Sequence, residues 1–487
     1  MSDVRVMTGR WADSAKLMAA ARQAEAVDGV ERALCFMGTP ANRDQARELG
    51  FTDPSLDGAG PDDLVIAASG SAASDGVAAA LAVLDAVPAA SGPAEARPAR
   101  TLANVDADLA IISVPGEYAV LEAHIALGRG MDVLLFSDGV SATDELALKQ
   151  RAHLLGRLVM GPGAGTAIID GVGLGFANVV ARGKVGVVAA AGTGAQEATV
   201  LLDDAGVGVS QCYGTGGHDL HADIGAITML DAIARLAKDP ETDVILCVSK
   251  PPAPAVAERV LAALAACGKP AAACFVGAPD LPHAPGVRLA HTLDQAVAAA
   301  ATLAGGHLEI PVATAPGTTT GFVRGLFSGG TLCAEAAAIL AEALGALQTN
   351  APAGRATALA PGEQPTGHTC IDLGEEEYTR GRPHPMIDPA ARAELLATVA
   401  ADPTVGLILL DVVIGHASHA DPAGAIIPAI TAARMARPDL IFVGHVLGTE
   451  ADPQVRSRQV RALTDAGVHL ASTNAVAAQM AALAVAH

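Results

Sequence analysis

One short motif occurs twice in this chain of 487 residues. A Gly-Thr pair, three further residues and a Glu-Ala pair make up both Gly192–Ala198 and Gly330–Ala336. In each copy an apolar stretch of strand length precedes the glycine and a helical pattern follows it, as in "GVVAAAGTGAQEATVLLDDAG" and "RGLFSGGTLCAEAAAIL". An Asp-Pro also precedes an apolar strand in both contexts, in "DPETDVILCVSK" and "DPTVGLILLDVV". The repetition predicts a divergent internal duplication of one flavodoxin-like domain.

Apolar stretches of strand length alternate with helical patterns along the whole chain, for example in "DDLVIAAS", "MDVLLFSD" and "DVILCVS". Near-continuous apolar strands with helical connections are typical of parallel sheets that are covered on both faces. At about 150 residues per domain, the length corresponds to three domains. We therefore predict an α/β protein with a Rossmann-like domain at residues 1–160, followed by two flavodoxin-like domains at 161–308 and 321–487.

The composition indicates which classes of partner and which cellular compartment to expect. A formal net charge of −21 argues against nucleic acid or an anionic membrane as the main partner. The alanine-rich stretches are interrupted before they reach about 18 residues, and the start, "MSDVRVMTGRWADS", lacks the pattern of a signal peptide. The seven cysteines are scattered without a CxxC pair, which indicates free thiols. These features predict a cytoplasmic protein without a membrane segment or a metal site.

Four glycine-bearing turns stand where an apolar strand gives way to a helix. At the carboxyl end of a parallel strand, glycine allows the sharp turn, and the following helix offers free N–H groups and the positive end of its dipole. Both features favour a phosphate or a carboxylate, and close helix-on-sheet packing without a ligand is the alternative. The four turns are "GPGAGT" (161–166), "AAGTGAQE" (190–197), "YGTGGHDL" (213–220) and "SGGTLCAE" (328–335).

We predict that backbone N–H groups of the last three turns bind phosphate or a small carboxylate. Lys250, just beyond an apolar strand, is a candidate catalytic cation for a phosphate oxygen or a developing oxyanion, and His218 is a candidate for orienting a leaving group. A surface lysine before Pro-Pro and a helix-capping role for "GHDLH" are the alternatives. The candidate anion-binding residues are Gly192, Thr193, Gly194, Gly214, Thr215, Gly216, Gly217, Ser328, Gly329, Gly330 and Thr331.

The segment "GEEEYTRGRPHPMID" concentrates charged side chains between glycines and prolines. Arg380, Arg382 and His384 are candidates for binding a substrate carboxylate, because guanidinium groups suit its bidentate geometry. The acids at 375–377 offer the alternative, a structural or subunit-contact loop in which they neutralise the arginines.

Two further sets of polar residues are interpreted as structural. Glu197 and Glu335 lie one turn into the repeated helices, which predicts that they act as dipole and cap partners there. His416, His419 and Asp421 have a spacing compatible with a metal, but a polar strand-to-helix loop is the preferred interpretation because no further ligands cluster with them.

Longer stretches resemble known families. The second unit resembles the α subunit of succinyl-CoA synthetase, through "VMGPGAGTAII", "GKVGVVAAAGTGAQEATV" and "GTGGHDL". The third resembles the carboxy-terminal domain of that enzyme's β subunit, through "GLFSGGTLCAEA", "IDLG" and "DPTVGLILLDVVIG". Over nearly its whole length the chain is similar to the FdrA family, through "FMGTPANRDQARELGF", "ISVPGEYAVLEA" and "IDLGEEEYTRGRPHPMIDP". These resemblances imply a CoA-binding-type first domain and two synthetase-type ligase domains.

Departures from the synthetase bear on the chemistry. No stretch has the length or charge of an ATP-grasp domain. The place of the synthetase's phosphohistidine loop, Gly-His-Ala-Gly, reads "CFVGAPDLPHAPGVRLAHTLDQA", and His283 and His291 are interpreted as ordinary loop histidines. The synthetase's CoA turn, Gly-Phe-Thr-Gly-x-x-Gly, is reduced to "FMGTPANRD". No cofactor is therefore assigned, and coenzyme A stays an open alternative.

The resemblance to FdrA implies a component of oxamate carbamoyltransferase, an enzyme of allantoin and purine breakdown. The implied reaction exchanges oxalurate and phosphate for oxamate and carbamoyl phosphate, without a redox cofactor or a covalent nucleophile. Its implied partners are small anionic substrates and the other protein subunits of an oligomeric complex. Two alternatives stand beside it: an acyl-CoA synthetase of the succinate–CoA ligase type, and a non-catalytic scaffold that binds an anion.

Overall fold

The computed structural model describes residues 2–12, 14–85, 101–278, 284–380 and 382–485. The chain forms two compact units, Met1–Pro98 and Ala99–His487, which are described separately. Within the described ranges, every helix is too short or too polar to cross a membrane.

The first unit is a small α/β sandwich around an antiparallel sheet. Strand β3 lies in the middle, and β1 and β2 both run antiparallel to it, in the order β1-β3-β2. Helices α1 and α3 cover one face of the sheet, and the end of α2 with Phe51 and Leu56 covers the other. The elements are β1 (Ser2–Met7), α1 (Ser14–Glu25), β2 (Val30–Met37), α2 (Pro40–Glu48), β3 (Leu64–Gly70) and α3 (Ala73–Asp85).

This arrangement differs from the Rossmann-like domain that the sequence predicts for residues 1–160. The strands before residue 98 pair in antiparallel fashion, and the compact unit ends at Pro98. Apolar periodicity reveals that a segment is a strand, but the direction of pairing depends on which strands meet. Here the strand that enters between β1 and β2 is β3, which runs opposite to both.

The second unit begins with a three-stranded parallel sheet in the order β4-β5-β6. Its strands alternate with two helices, as the sequence predicts for this stretch. Helix α5 begins at a well-formed cap, because the Ser141 hydroxyl accepts a hydrogen bond from the Asp144 amide. The elements are β4 (Leu109–Ile112), α4 (Gly116–Gly128), β5 (Asp132–Leu135), α5 (Ala142–Leu155) and β6 (Val159–Met160).

A seven-stranded sheet follows, in the order β13-β12-β11-β9-β10-β7-β8. Its first five strands are parallel, and the hairpin of β7 and β8 adds an antiparallel edge. The central strand, β9, leads directly into the first copy of the repeated helix. The elements are β7 (Thr166–Ile169), β8 (Val172–Gly175), β9 (Arg182–Ala190), α6 (Gly192–Asp204), β10 (Val209–Gly214), α7 (Ile227–Lys238), β11 (Val244–Ser249), α8 (Pro254–Ala266), β12 (Ala271–Phe275), β13 (Val287–Ala290) and α9 (Leu293–Leu303).

The last part forms a second seven-stranded sheet, entirely parallel, in the order β16-β15-β17-β14-β18-β19-β20. Its central strand, β14, leads into the second copy of the repeated helix. The elements are β14 (Phe322–Phe327), α10 (Gly330–Leu344), β15 (Leu347–Thr349), β16 (Thr357–Ala358), β17 (His368–Asp372), α11 (Glu376–Thr379), α12 (Ala390–Ala401), β18 (Val405–Val413), α13 (Pro422–Ala436), β19 (Ile441–Leu447), α14 (Arg456–Asp465), β20 (His469–Ala471) and α15 (Asn474–Ala484).

The two seven-stranded sheets share one hydrophobic core, to which β9, α6 and α9 contribute from one half and β14, α10 and α15 from the other. The starts of α6 and α10 lie side by side. The Thr331 amide donates to Oγ1 of Thr193 at 3.2 Å, and a Cβ on Gly329 would lie 2.9 Å from Cγ2 of the same threonine. The two copies of the motif therefore meet at the centre of the unit.

The buried glutamates of the motif hold the two halves together. Glu197 accepts the Asn474 amide at the start of α15, and Glu335 accepts the Leu293 amide at the start of α9. Each glutamate thus caps the last helix of the opposite half and not its own helix. Both side chains lie well beyond the first turn, where the unpaired amides of their own helices are out of reach. Burial and nearby Asp294 raise the pKa of Glu335 to about 8.

Candidate functional site

A cleft of about 510 Å³ opens where the parallel strands of the second unit end. The turns into α6 and α10 form one side of it, and the loop after β10 forms another. Residues 374–379 and 382–387, which follow β17, line it together with Phe136 and Asp138 just after β5. In parallel α/β sheets the carboxyl ends of the strands are the usual ligand-binding edge. The cleft is therefore the candidate functional site.

The first turn of α6 presents open backbone N–H groups to the cleft. Ala191 precedes the helix as its N-cap and supplies no side-chain hydrogen bond. In the described part of the chain, the amides of Gly192, Thr193 and Gly194 find no protein acceptor. Gly192 and Thr193 line the cleft. Unpaired amides at the positive end of a helix dipole form a site for an anion.

The loop after β10 brings a second set of amides to the same place. Gly214, Gly216 and Gly217 line the cleft, and Thr215 is buried behind them. Gly216 has a φ of +86°, and a Cβ there would lie 2.6 Å from the carbonyl oxygen of Pro162. Glycine is required at this position because both the backbone conformation and the close approach exclude a side chain.

The turn that leads into α10 is different, because a carboxylate of the protein occupies the two amides that precede the helix. Asp411 in β18 accepts the amides of Ser328 at 2.9 Å and Gly329 at 2.8 Å, and the Ser328 hydroxyl at 3.0 Å. The buried guanidinium of Arg392 lies 2.9 Å from the same carboxylate. Ser328, Gly330 and Thr331 line the cleft. The amides of Ser328 and Gly329, however, are not available to a ligand.

Lys250 and Asp372 supply charge beside these two helix starts. Lys250 lines the cleft with a half-exposed side chain, and its Nζ lies 3.9 Å from the Glu375 carboxylate. Burial raises the pKa of Asp372 to about 6, although the Lys250 ammonium opposes the shift. Lys250 is thus a cation at the rim of an amide-lined pocket, where it can neutralise a phosphate oxygen.

His384 faces the cleft from the segment after β17. Its Nδ1 accepts the Met386 amide at 3.2 Å, and its ring packs on Phe176 at 5.9 Å between centroids. Burial lowers the pKa of His384, which favours the neutral ring. With Nδ1 accepting a hydrogen bond, the proton of the neutral ring is on Nε2. His384 can therefore donate a hydrogen bond into the cleft, and Arg382 lines the same wall.

The structure brings most of the predicted site residues to this one cleft and leaves a few outside its lining. His218 is exposed, 3.6 Å from Glu145, and Arg380 is exposed and paired with Glu376. Gly194, Thr215 and Gly329 pack behind the surface. The predicted residues that line the cleft are Gly192, Thr193, Gly214, Gly216, Gly217, Lys250, Ser328, Gly330, Thr331, Arg382 and His384.

The other histidines are placed as follows. His291 is exposed at the start of the turn into α9, and His283 lies outside the described residues. The Nδ1 of His419 accepts the Asp421 amide, so this side chain has a structural partner. Across the described ranges, no three His, Cys, Asp or Glu side chains come together in a way that could hold a metal ion.

Several lining residues were not singled out from the sequence. Phe136 and Phe176 form an apolar wall, with ring centroids 5.7 Å apart, and Gln196 lines the cleft from α6. The turn 163–166, part of "GPGAGT", also lines the cleft, although no residue of this turn was predicted as a site residue. The phenylalanines carried no sequence signal, because a buried aromatic residue is indistinguishable from core until the fold is known.

Comparisons with known proteins give the following similarities. Residues 181–277 match a family described as CoA binding domain, and residues 326–484 match one described as CoA-ligase. Residues 1–101 match a family described as AllF, heavy metal-associated domain. The CoA-binding match thus falls on β9–β12, whereas the sequence resemblance placed a CoA-binding-type domain at residues 1–160.

Among individual proteins, the uncharacterized protein YahF of Escherichia coli (strain K12) is 40% identical over 95% of this chain and 94% of its own length. The α subunit of succinate–CoA ligase (ADP-forming) from Methanothermobacter thermautotrophicus is 27% identical over 38% of this chain and 62% of its own length. A solved structure of acetyl-coenzyme A synthetase 1 from Ca. Korarchaeum cryptofilum covers 79% of this chain and 84% of its own, at 15% identity and a TM-score of 0.35.

The donor atoms of residues 1–101 do not fit a heavy metal ion. Soft metals favour thiolate, thioether and imidazole ligands. This segment has no histidine and one cysteine, Cys35, whose thiol pKa is raised to about 12 by burial and by nearby Glu25. The Met7 thioether is already 3.6 Å from the Arg10 guanidinium. No step of the chemistry below is therefore assigned to a metal in this unit.

Proposed function

We propose, on the premise that this chain belongs to the same family as the Escherichia coli protein YahF, that its cleft transfers an acyl group between a carrier and inorganic phosphate. The CoA-binding and CoA-ligase domains of succinyl-CoA synthetase type favour coenzyme A as the carrier. The observation that carries the proposal is the set of open amides at α6 and at Gly216, next to Lys250 in one cleft.

In the proposed reaction a phosphate oxygen attacks the carbonyl carbon of an acyl-CoA. The carbon–oxygen bond forms, the carbonyl oxygen takes the negative charge, and collapse expels the thiolate of coenzyme A and leaves an acyl phosphate. The amides of α6 and Gly216 hold the phosphate, and Lys250 stabilises the charge on the tetrahedral intermediate. No covalent phosphoenzyme is needed in this scheme. His384, whose Nδ1 is engaged by the Met386 amide, is not expected to carry a phosphoryl group.

A second candidate reaction uses the same phosphate site. Oxalurate and phosphate would give oxamate and carbamoyl phosphate, the reaction implied by the resemblance to the FdrA family. An amide nitrogen must be protonated as it leaves, whereas a thiolate leaves without a proton. That proton comes from the attacking hydrogen phosphate, and the Nε2–H of His384, beside Arg382 as a carboxylate ligand, donates a hydrogen bond that stabilises the developing negative charge. In this role the chain would work in the cytoplasm with the other subunits of an oligomeric complex.

One assay separates the two candidates. The purified chain is incubated with labelled inorganic phosphate and either succinyl-CoA or oxalurate, and thiol release, oxamate and labelled acyl or carbamoyl phosphate are measured. Lys250→Met is expected to lower turnover about 100-fold, because one charge-stabilising group is lost. Lys238→Met, an exposed lysine at the end of α7, is the matched control and should leave turnover unchanged. His384→Phe, which removes the hydrogen-bond donor, should slow only the oxalurate reaction.

Two results would contradict the proposal. If phosphate neither shifts the melting temperature of the chain nor supports turnover of either substrate, the phosphate site is refuted. If labelled phosphate is found covalently attached to a histidine of the chain, direct attack by phosphate is refuted. Turnover of succinyl-CoA but not of oxalurate would identify coenzyme A as the carrier. Turnover of oxalurate but not of succinyl-CoA would identify the carbamoyl transfer.

A further inference from the structure

Lys149 is a fully buried lysine behind the loop that follows β10. Its Nζ donates to the Thr215 carbonyl at 3.0 Å and to Oδ1 of Asp219 at 2.8 Å, and it lies 2.8 Å from Oε1 of Glu145. A buried ammonium group is costly unless its charge and its N–H donors are compensated, and here two hydrogen bonds and the ion pair with Glu145 compensate it. The lysine belongs to α5, about seventy residues earlier in the chain than the loop it contacts.

The contact with Thr215 fixes the direction of the next amide. In a planar trans peptide, the C=O of one residue and the N–H of the next point in opposite directions. The Thr215 carbonyl points back to Lys149, so the Gly216 N–H points away from it. Gly216 lines the cleft, and its N–H has no acceptor within the ranges that the structure describes.

Asp219 fixes the other end of the same loop. Its carboxylate accepts the amides of Thr228 at 3.2 Å and Met229 at 2.8 Å, at the start of α7, in addition to the Lys149 ammonium. The Asp219 carboxylate therefore connects the loop to α7 directly and to α5 through the Lys149 ammonium. A shift of this cation would move the peptide between Thr215 and Gly216.

We infer that Lys149 is a positioning residue for anion binding: it never reaches the cleft, but it aims the Gly216 amide at the phosphate. The inference rests on the phosphate site of the proposed function. It assigns a role to a part of the chain, α5, that the ligase-type domains do not include.

The test measures the dissociation constant of inorganic phosphate by calorimetry. Because Lys149→Met alone would leave two buried carboxylates without a cation, the variant is the neutral triple substitution Glu145→Gln, Lys149→Met and Asp219→Asn. The expected result is about a tenfold weaker phosphate binding, the loss of one aimed hydrogen bond. With an active substrate, KM for phosphate should rise by the same factor.

Lys269→Met is the matched control. Its Nζ also donates to backbone carbonyls, of Leu236, Asp239 and Thr242, but it makes no contact with the cleft. Both variants are expected to lower the melting temperature, and only the triple variant should change phosphate binding. A purely structural role for Lys149 predicts unchanged binding in both.

A measurement on the unmodified chain covers the case in which the triple variant does not fold. Hydrogen exchange of the Gly216 amide should slow when phosphate is added, and unchanged exchange would overturn the inference. If the unmodified chain binds phosphate and the triple variant binds it equally well, the inference fails and the proposed function stands. If the unmodified chain does not bind phosphate, both fail.

Discussion

The starts of helices α6 and α10 share one sequence motif but differ in which of their amides have a partner within the protein. Each begins with a Gly-Thr pair after the central strand of a parallel sheet. In the described residues, the amides of Gly192, Thr193 and Gly194 in the first turn of α6 have no protein acceptor. At α10 the Thr331 amide donates to Thr193, and Asp411 accepts the amides of Ser328 and Gly329, which precede the helix. The turn into α10 thus holds a carboxylate of the protein.

The neighbouring strand explains the difference. The motif aligns Val188 in β9 with Leu326 in β14. In β11, Cys247 pairs with Val188 and the buried Val248 follows it. The strand next to β14 is β18, where Leu410 pairs with Leu326 and Asp411 follows it. The Asp411 carboxylate satisfies the free amides of the turn, and Arg392 balances its charge. The apolar Val248 at the matching position cannot accept the amides of the turn into α6.

The largest effect is expected from removing the internal anion of α10. Asp411→Asn keeps the size of the side chain but leaves the buried Arg392 without its counter-charge. The free energy of unfolding should fall by about 3–5 kcal/mol, as when one partner of a buried ion pair is removed. Urea denaturation measures it, with Ser249→Ala at the end of β11 as the control, for which a change below about 1 kcal/mol is expected. Equal stability of Asp411→Asn and the parent chain would contradict the comparison.

The next effect comes from giving α6 an internal anion of its own. A Cβ on Gly192 would approach nothing closer than Oγ1 of Thr166, at 4.0 Å, so a side chain fits there. Gly192→Asp should weaken phosphate binding about 100-fold, because its carboxylate occupies the amides and repels the ligand. Gly192→Asn is the neutral control of the same shape and should weaken binding much less. Calorimetric titration with phosphate distinguishes them, and equal losses in the two variants would argue for steric blocking instead of charge.

The smallest effect comes from adding one methyl group at each helix start. A Cβ on Gly330 would clash with Oδ2 of Asp372, whereas the equivalent Cβ on Gly192 has room. Gly330→Ala should therefore lower the free energy of unfolding by about 1–3 kcal/mol, and Gly192→Ala should change it by less than about 0.5 kcal/mol. Denaturation midpoints of the two variants are compared directly. A larger loss for Gly192→Ala would show that α6 is the more tightly filled of the two.

Much of the second unit could be predicted from the sequence because its signals are local. The apolar strands, the glycine turns and the duplicated motif all depend on neighbouring residues, and the carboxyl ends of parallel strands meet at one edge. This places Gly192, Gly216 and Lys250 in one cleft. His218 shows the limit of the approach, because it follows the same loop yet points away from the cleft to Glu145.

The fold of the first unit was harder to predict from the sequence, for a physical reason. Its three strands have the apolar character of the later ones, but their antiparallel pairing depends on where β3 enters the sheet. The role of Lys149 could not be predicted either, because a lysine in a helical pattern is interpreted as a surface residue. Only the fold shows that Thr215, Asp219 and Glu145 surround its ammonium group.

The sequence alone determined that this chain makes two strand–glycine–helix turns with unpaired backbone amides, because backbone geometry at a turn is set by the residues in it. Only the tertiary structure decided which of these amides find a partner within the protein. Asp411 reaches the amides of Ser328 and Gly329 from more than eighty residues away. Hydrogen bonds over such separations depend on strand order and register, which no local pattern encodes.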